Sequence, residues 1–115
     1  MSKFMLLPFD SPETFAGHGP EEIQGIIQRY YEWTQKLRDG NHLLEGHKLR
    51  DEEGRVLRKE NGRMVVRDGP YTETKEIIGG YWLVEAKSYD DAIRLAQDCP
   101  HLEFGNLVIR AIEEA

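Results

Sequence analysis

The polar segment from Asp68 to Glu76 holds the densest group of side chains in this sequence that could do chemistry. It reads Asp-Gly-Pro-Tyr-Thr-Glu-Thr-Lys-Glu and carries hydroxyls, carboxylates and one ammonium group. Such groups at the rim of a cleft can bind a small polar molecule. We predict that this loop forms one wall of a ligand cleft. Asp68 is predicted as a catalytic acid, and Tyr71, Glu73, Lys75 and Glu76 as ligand-binding residues.

Turn formation offers an alternative explanation for the start of this segment. Asp68 can hydrogen-bond the backbone two residues further on, and Gly69 and Pro70 are typical turn residues. On this interpretation the segment only directs the chain into the next strand, and its remaining polar residues form a solvated loop. Turn chemistry explains Asp, Gly and Pro but not the residue types that follow, so both interpretations stay open.

Two isolated residues outside this segment could also take part in a site. His47 alternates with Leu43 and Glu45 on a predicted strand, and it is a second catalytic candidate as a general acid or base. Arg110 lies among apolar residues on the last predicted strand. An arginine in such surroundings needs an anionic partner, either an internal carboxylate or a ligand. We therefore include Arg110 among the ligand-binding candidates.

The histidines and the cysteine do not indicate a metal site. His42 and His47 are five residues apart, which on a strand places them on opposite faces. His18 and His101 lie far from them along the chain, and one cysteine, Cys99, allows neither an internal disulfide nor a cysteine-based zinc site. The sequence has no glycine-rich phosphate loop and no nucleotide fingerprint. We expect no metal and no cofactor.

Length and charge restrict the classes of protein that remain. The 115 residues fit one domain, 1–115, and the chain carries 15 Lys and Arg against 21 Asp and Glu, a net charge of −6. Without a basic excess, nucleic acid is not an expected partner. The short apolar run at the N-terminus is interrupted by Pro8 and Asp10, so it is not a signal peptide. No stretch approaches the roughly 18 apolar residues of a membrane span. We expect a cytoplasmic protein.

Hydrophobic periodicity predicts the elements that must position these residues. Helices are predicted from Pro20 to about Gly40 and after the N-cap Ser88. Tyr30, Tyr31 and Trp33 are at helical core spacing and are predicted to pack. Gly25 weakens the first helix by about 1 kcal/mol. Strands are predicted at residues 3–9, 43–49, 79–86 and 107–112, with a hairpin at 56–67 around Asn61-Gly62.

This order predicts an α+β fold of the ferredoxin-like type, βαββαβ, with the hairpin inserted in the middle. Two helices cover one face of such a sheet. The other face would still present apolar side chains from residues 4–7, 81–86 and 107–112, and a monomer would not expose such a patch. We therefore predict a homodimer in which two sheets pack face to face.

The central segment also resembles the signature of a known family. Asp68-Gly69-Pro70-Tyr71 with the residues up to Glu76, followed by Gly79-Gly80-Tyr81, resembles the YCII-related family in its DGPF-domain branch, where Phe stands in place of Tyr71. The resemblance extends from the strand at residues 4–7 to the closing strand, in which Ala111 replaces a usual Pro. It implies a dimeric α+β barrel. Some YCII relatives carry a proposed His–Asp pair with the His on the first helix, and no histidine occurs between residues 21 and 41 here.

Two classes of function follow. The first is a small-molecule-binding protein that could act as a cofactor-free acid/base enzyme, with its cleft at the barrel mouth. The second is a non-catalytic dimeric module in sigma-factor-linked regulation, because members of the resembling branch often lie beside genes for extracytoplasmic-function sigma factors. A clustered cavity of polar groups would favour the first hypothesis. Dispersal of those groups over the surface would favour the second.

Overall fold

The structure is a computed structural model that describes residues 1–11, 13–69 and 76–114. In chain order its elements are β1 (Ser2–Asp10), α1 (Pro20–Asp39), β2 (Leu43–Lys48), β3 (Arg55–Glu60), β4 (Arg63–Asp68), β5 (Ile77–Ile78), β6 (Gly80–Ala86), α2 (Tyr89–Ala96), a short 3-10 helix (Pro100–Glu103) and β7 (Asn106–Ala111). The predicted α+β order with an inserted hairpin is confirmed. Within the described part of the chain, no helix is long and apolar enough to cross a membrane.

The main sheet has the ferredoxin-like strand order β2-β6-β1-β7. β1 lies in the centre and pairs antiparallel with β6 on one side and β7 on the other. The two-residue strand β5 pairs with the end of β1, where Phe9 lies opposite Ile78. Three strands, β5, β6 and β7, therefore pair with β1, whose last residues lie at one end of the sheet.

The hydrophobic core fills the space between one face of the sheet and the two helices. Alternate residues of β1 and β6 point into it, as the two-residue period of a strand requires. Trp33 of α1 packs edge to face on Trp82 of β6, with ring centroids 5.0 Å apart. The buried apolar residues are Phe4, Leu6, Trp33, Leu37, Trp82, Val84, Ala86, Ala92, Ala96 and Cys99.

Local signals in the sequence set the ends of the helices and the hairpin. α1 begins at Pro20 and its C-cap is Gly40. Ser88 caps α2 by accepting a hydrogen bond from the backbone N–H of Asp91 at 3.2 Å, as predicted. Asn61 and Gly62 both have positive φ angles, 52° and 80°, as a tight hairpin turn requires.

The alternation predicted for β2 is wrong at its first residue. The register shifts between Leu43 and Glu45, so Leu44 forms a bulge. Leu43 lies opposite the core residue Val84. Glu45 and His47 instead share the face of the sheet that the helices leave uncovered.

The β3–β4 hairpin forms its own two-stranded sheet. Leu57 lies opposite Val66, and Met64 lies on the same face of the hairpin. All three of these apolar side chains are exposed. The radius of gyration is 16.2 Å, larger than the roughly 13 Å of a compact chain of this length. The molecule is therefore flat and less compact than a typical domain of this length, with principal-axis extents of 48 × 45 × 18 Å.

Candidate functional site

A cleft of about 340 Å³ opens between α1 and the sheet, close to the end of β1. This volume lies in the range of small-molecule sites, which is about 300–1,000 Å³. Its apolar walls include Phe15, Ile27, Tyr30 and Trp82. Its polar groups include Asp10, Arg38, Lys48 and His101. Aromatic walls with a few polar groups are typical of ligand sites.

The most constrained polar pair in the cleft joins Tyr30 of α1 to His101 of the 3-10 helix. The Tyr30 hydroxyl oxygen lies 2.8 Å from Nδ1 of His101. Nε2 of the same ring lies 2.9 Å from the carbonyl oxygen of Phe9. A carbonyl oxygen only accepts, so Nε2 carries the proton, and Nδ1 of the neutral ring accepts from the Tyr30 hydroxyl. His101 is 2% exposed, and both its ring nitrogens are bonded.

Gly105 explains why the His101 ring fits against the end of β1. A Cβ atom at Gly105 would lie 2.1 Å from the carbonyl oxygen of Phe9 and 3.1 Å from Nε2 of His101. The backbone N–H of Gly105 donates to the carbonyl of His101 at 3.0 Å, which closes the turn after the 3-10 helix. Only glycine leaves room for the bond between His101 and Phe9.

Burial shifts the pKa of two side chains at this end of the cleft, Tyr30 and Asp10. It raises the pKa of the Tyr30 hydroxyl, and the nearby Cys99 and Asp10 act in the same direction. Tyr30 is therefore a neutral hydroxyl at neutral pH. Burial also raises the pKa of the Asp10 carboxyl, while His101 opposes that shift. Asp10 is thus close enough to interact with any positive charge that forms on His101.

The floor of the cleft is held by a hydrogen-bonded chain. The indole N–H of Trp82 donates to Oγ1 of Thr34 at 3.0 Å, and Thr34 donates to the backbone carbonyl of Tyr30 at 2.8 Å. The rings of Tyr30 and Trp82 are nearly parallel, with an interplanar angle of 4° and centroids 6.3 Å apart. Thr34 thereby locks α1 to β6, and its hydroxyl has no proton left for a ligand.

His47 lines the edge of the cleft, but its ring is held on the other side of the sheet. It lies opposite Tyr81 in the register, and the two ring centroids are 5.6 Å apart. Nε2 of His47 is 3.5 Å from the Glu45 carboxylate, which also accepts from the Tyr81 hydroxyl at 3.1 Å. These three side chains form a polar cluster on the uncovered face of the sheet.

Asp68 lies at the end of β4, outside the residues that line the cleft. Its carboxylate is exposed and 3.4 Å from the guanidinium of Arg55, which faces it across the hairpin. The following Gly69 is buried, and a Cβ atom there would lie 2.7 Å from Cγ2 of Val56. Its N–H donates to the carbonyl of Gly54 at 3.3 Å. In the described chain, Asp68 and Gly69 close the base of the hairpin.

The other predicted ligand-binding residues are not brought together in the described part of the chain. Glu76 accepts a hydrogen bond from Asn106 at 3.0 Å, at the start of β7. Arg110 lies opposite Met5 on the uncovered face of the sheet, and the described residues give it no ion pair. Tyr71, Glu73 and Lys75 lie outside the described residues. The loop wall that they were expected to form stays a prediction.

The sequence alone predicts that Tyr30 packs in the core, and it indicates no role for His101. The two residues are 71 positions apart, and no motif links them. The available signal was a tyrosine on the core-facing side of α1, because a buried hydroxyl needs a polar partner.

Among the described residues, no group of three or more His, Cys, Asp and Glu side chains could hold a metal ion.

Fold and cleft together define a ferredoxin-like α+β protein with a ligand-sized cavity between its first helix and its sheet. The family model of the YCII-related domain matches residues 2–115, so the chain belongs to the YCII-related family. This confirms the resemblance to that family seen in the sequence.

Two known proteins are similar to this chain, one in sequence and one in structure. A curated relative, an uncharacterized protein of Rhizobium meliloti, is 43% identical over 43 residues, which is 37% of this chain and 35% of that protein. The match thus spans about a third of the relative's length. A solved structure, 5-chloro-2-hydroxyhydroquinone dehydrochlorinase from Burkholderia phenoliruptrix in complex with 2,5-dihydroxybenzoquinone, has a TM-score of 0.50 and 15% identity and covers 98% of this chain and 95% of its own. The second likeness establishes a shared fold.

Proposed function

We propose that this protein binds a small molecule in the cleft between α1 and the sheet and acts on it by acid/base chemistry. The Tyr30–His101 pair carries the proposal. It presents a hydroxyl at a ligand-sized cavity, and that hydroxyl is backed by a buried imidazole whose tautomer is fixed. Dedicated proton-transfer groups at a cleft are typical of general acid/base sites.

Proton transfer through this pair balances without any further group. A ligand hydroxyl in the cleft donates to the Tyr30 oxygen. Tyr30 then passes its own proton to Nδ1 of His101, and the ligand is left as an anion. The resulting imidazolium keeps its Nε2–H bond to Phe9, and the nearby Asp10 carboxylate stabilises its charge. The reverse sequence returns a proton to the ligand.

The comparisons support a small molecule as the ligand. The solved neighbour carries 2,5-dihydroxybenzoquinone, a flat ring with hydroxyl groups. The cleft here has aromatic walls that suit such a ring. Asp68 and His47 remain predicted contributors from the sequence, and variants of them belong in the same assay.

The test uses para-nitrophenol, a phenol whose ionised form absorbs visible light. We expect the bound phenol to ionise at lower pH than the free phenol, because Tyr30 and His101 accept its proton. Tyr30→Phe should abolish this shift while keeping the ring. Tyr89→Phe is the matched control, because the Tyr89 hydroxyl accepts from the backbone N–H of Ala111 on the other side of the core.

Two results would count against the proposal. If Tyr30→Phe still lowers the ionisation pH of the bound phenol, the relay through Tyr30 and His101 is wrong. If the wild type does not bind the phenol or any other small molecule in a screen, the non-catalytic module becomes the better hypothesis. The non-catalytic module would also be the better hypothesis if chemical-shift changes showed that the probe binds far from the cleft.

We further propose that two copies associate through the uncovered face of the sheet. This face carries Met5, Leu7, Leu83 and Val108, and each is at least partly accessible in the single chain. A stable homodimer buries more than about 1,000 Å² in total around an apolar centre. Sedimentation at micromolar concentration should give a dimer, and Val108→Lys should dissociate it. A wild-type species of 13.3 kDa would contradict this.

A further inference from the structure

We infer that the ligand is a flat molecule with a carboxylate at one end and a hydroxyl at the other, and that Arg38 selects the carboxylate. This inference rests on the proposed function, because it assigns the second end of the same cleft. The first end is the Tyr30–His101 pair, where the ligand hydroxyl gives up and regains its proton. Arg38 also lines the cleft, and it belongs to the same helix.

The spacing along α1 sets the length of the ligand. Tyr30, Thr34 and Arg38 follow one another at intervals of four residues, so they lie on one side of the helix. At about 1.5 Å of rise per residue, Tyr30 and Arg38 are separated by roughly 12 Å along the axis. Thr34 lies between them, and its hydroxyl is already committed to Trp82 and to the backbone. The cleft thus offers polar groups near its two ends and an apolar middle.

The charges at the Arg38 end favour an anion. Nη1 of Arg38 donates to the side-chain oxygen of Gln35 at 2.8 Å, and among the described residues no carboxylate pairs with it. The other cation of the lining, Lys48, lies towards Asp10 and is already paired with Asp51 at 2.8 Å. A guanidinium has five N–H donors, so most of those on Arg38 remain for a ligand.

The geometry of a guanidinium narrows the anion to a carboxylate. Its planar fork matches the two oxygens of a carboxylate in a bidentate pair. A phosphate dianion would call for further donors, and the next cation in the lining, Lys48, is already paired. The parallel rings of Tyr30 and Trp82 provide flat apolar surface for the part of the ligand between the two ends.

The experiment compares para-coumarate with its neutral amide. Both probes are flat and carry a phenol at one end, and they differ only in the charge at the other. We expect the wild type to bind the acid at least tenfold more tightly, as a charge-assisted hydrogen bond provides. Arg38→Gln should remove this preference, and Arg38→Lys should keep part of it. Added salt should weaken binding of the acid but not of the amide.

Arg63→Gln is the matched control, because it removes the same charge from the β3–β4 hairpin, whose residues do not line the cleft. It should keep the preference for the acid. Equal wild-type affinity for the two probes would overturn the role of Arg38 but leave the cleft proposal standing. A preference for the acid that persists in Arg38→Gln would likewise overturn the role of Arg38. If neither probe binds at millimolar concentration while para-nitrophenol still binds in the cleft, this inference alone fails. If para-nitrophenol does not bind either, the proposed function fails with it.

Discussion

The cleft and the β3–β4 hairpin both carry polar residues on regular elements, yet they hold them in different ways. In the cleft, Tyr30 and His101 come from distant parts of the chain and are fixed by hydrogen bonds of 2.8 Å to each other and 2.9 Å to the Phe9 carbonyl. In the hairpin, Asp68 and Arg55 face each other in solvent at 3.4 Å. A polar side chain can take part in chemistry when the packing around it fixes its orientation and its hydrogen-bond partners. Tyr30 and His101 in the cleft meet this condition.

The difference also shows that a conspicuous motif need not coincide with the most constrained site. The described start of the Asp68–Glu76 segment performs a backbone task, because Gly69 passes too close to Val56 and Glu53 for any side chain. A motif can be typical of a family because the geometry of a turn requires those residue types, without any of them taking part in chemistry. The chemistry of the site then depends on residues that no local pattern connects.

The largest expected effect tests the packing on the cleft side. Gly105→Ala should destabilise the protein by about 3 kcal/mol, because the new methyl group collides with the Phe9 carbonyl and the His101 ring. Gly25→Ala is the matched control, since nothing lies within 4 Å of a Cβ atom there. It should stabilise α1 by about 0.5–1 kcal/mol. Urea denaturation measures both, and a Gly105→Ala variant as stable as the wild type would contradict the close approach.

The second effect tests the hydrogen bond itself. Tyr30→Phe should cost about 1–2 kcal/mol, because it leaves Nδ1 of the buried His101 without a donor. Thermal unfolding should show the loss, and Tyr89→Phe gives a comparison at an exposed tyrosine. An unchanged stability would mean that His101 finds another partner and that the pair is not fixed.

The third effect tests the hairpin. Asp68→Asn should change the free energy of unfolding by less than about 1 kcal/mol, because its ion pair with Arg55 is solvent-exposed. Binding of para-nitrophenol in the cleft should be unchanged. A stable variant that no longer binds would restore Asp68 to the catalytic role predicted from the sequence and would reverse the contrast between the two regions.

The smallest effect concerns acid stability where α1 is hydrogen-bonded to the segment after α2. Hydrogen bonds from Lys36 and Trp33 lower the pKa of the Asp98 carboxyl. A lowered pKa in the folded state stabilises the protein above the ordinary value of 3.8, and this contribution is lost as the pH falls through the folded value. Asp98→Asn should therefore lose less stability than the wild type below about pH 4, by under about 1 kcal/mol. The measurement is the free energy of unfolding of the two proteins as the pH is lowered. Curves that coincide for Asp98→Asn and the wild type would contradict the prediction.

Most of the fold could be predicted from the sequence because its signals are local. Pro20, Ser88 and Asn61-Gly62 each act within a few residues of their position, and each marks the element boundary that was expected. The bulge at Leu44 could not be predicted. It depends on how β2 fits against β6, and that is a tertiary property.

The candidate site could be predicted only in part for the same reason. His47 was expected on a strand beside Glu45, and the two are adjacent, but the register turns its ring away from α1. The bond between Tyr30 and His101 requires the 3-10 helix to fold back on the end of β1. That contact depends on Gly105 and spans most of the chain.

The contact between the two indoles gives the chain a built-in optical reporter. Trp33 and Trp82 are its only tryptophans, and their rings meet nearly at right angles, with an interplanar angle of 84°. Two chromophores this close couple electronically, so their near-ultraviolet circular dichroism depends on how α1 lies on β6. Trp82 also lines the cleft. The near-ultraviolet circular dichroism of the unlabelled protein should therefore report both the binding of a ligand in the cleft and any movement of α1 away from β6.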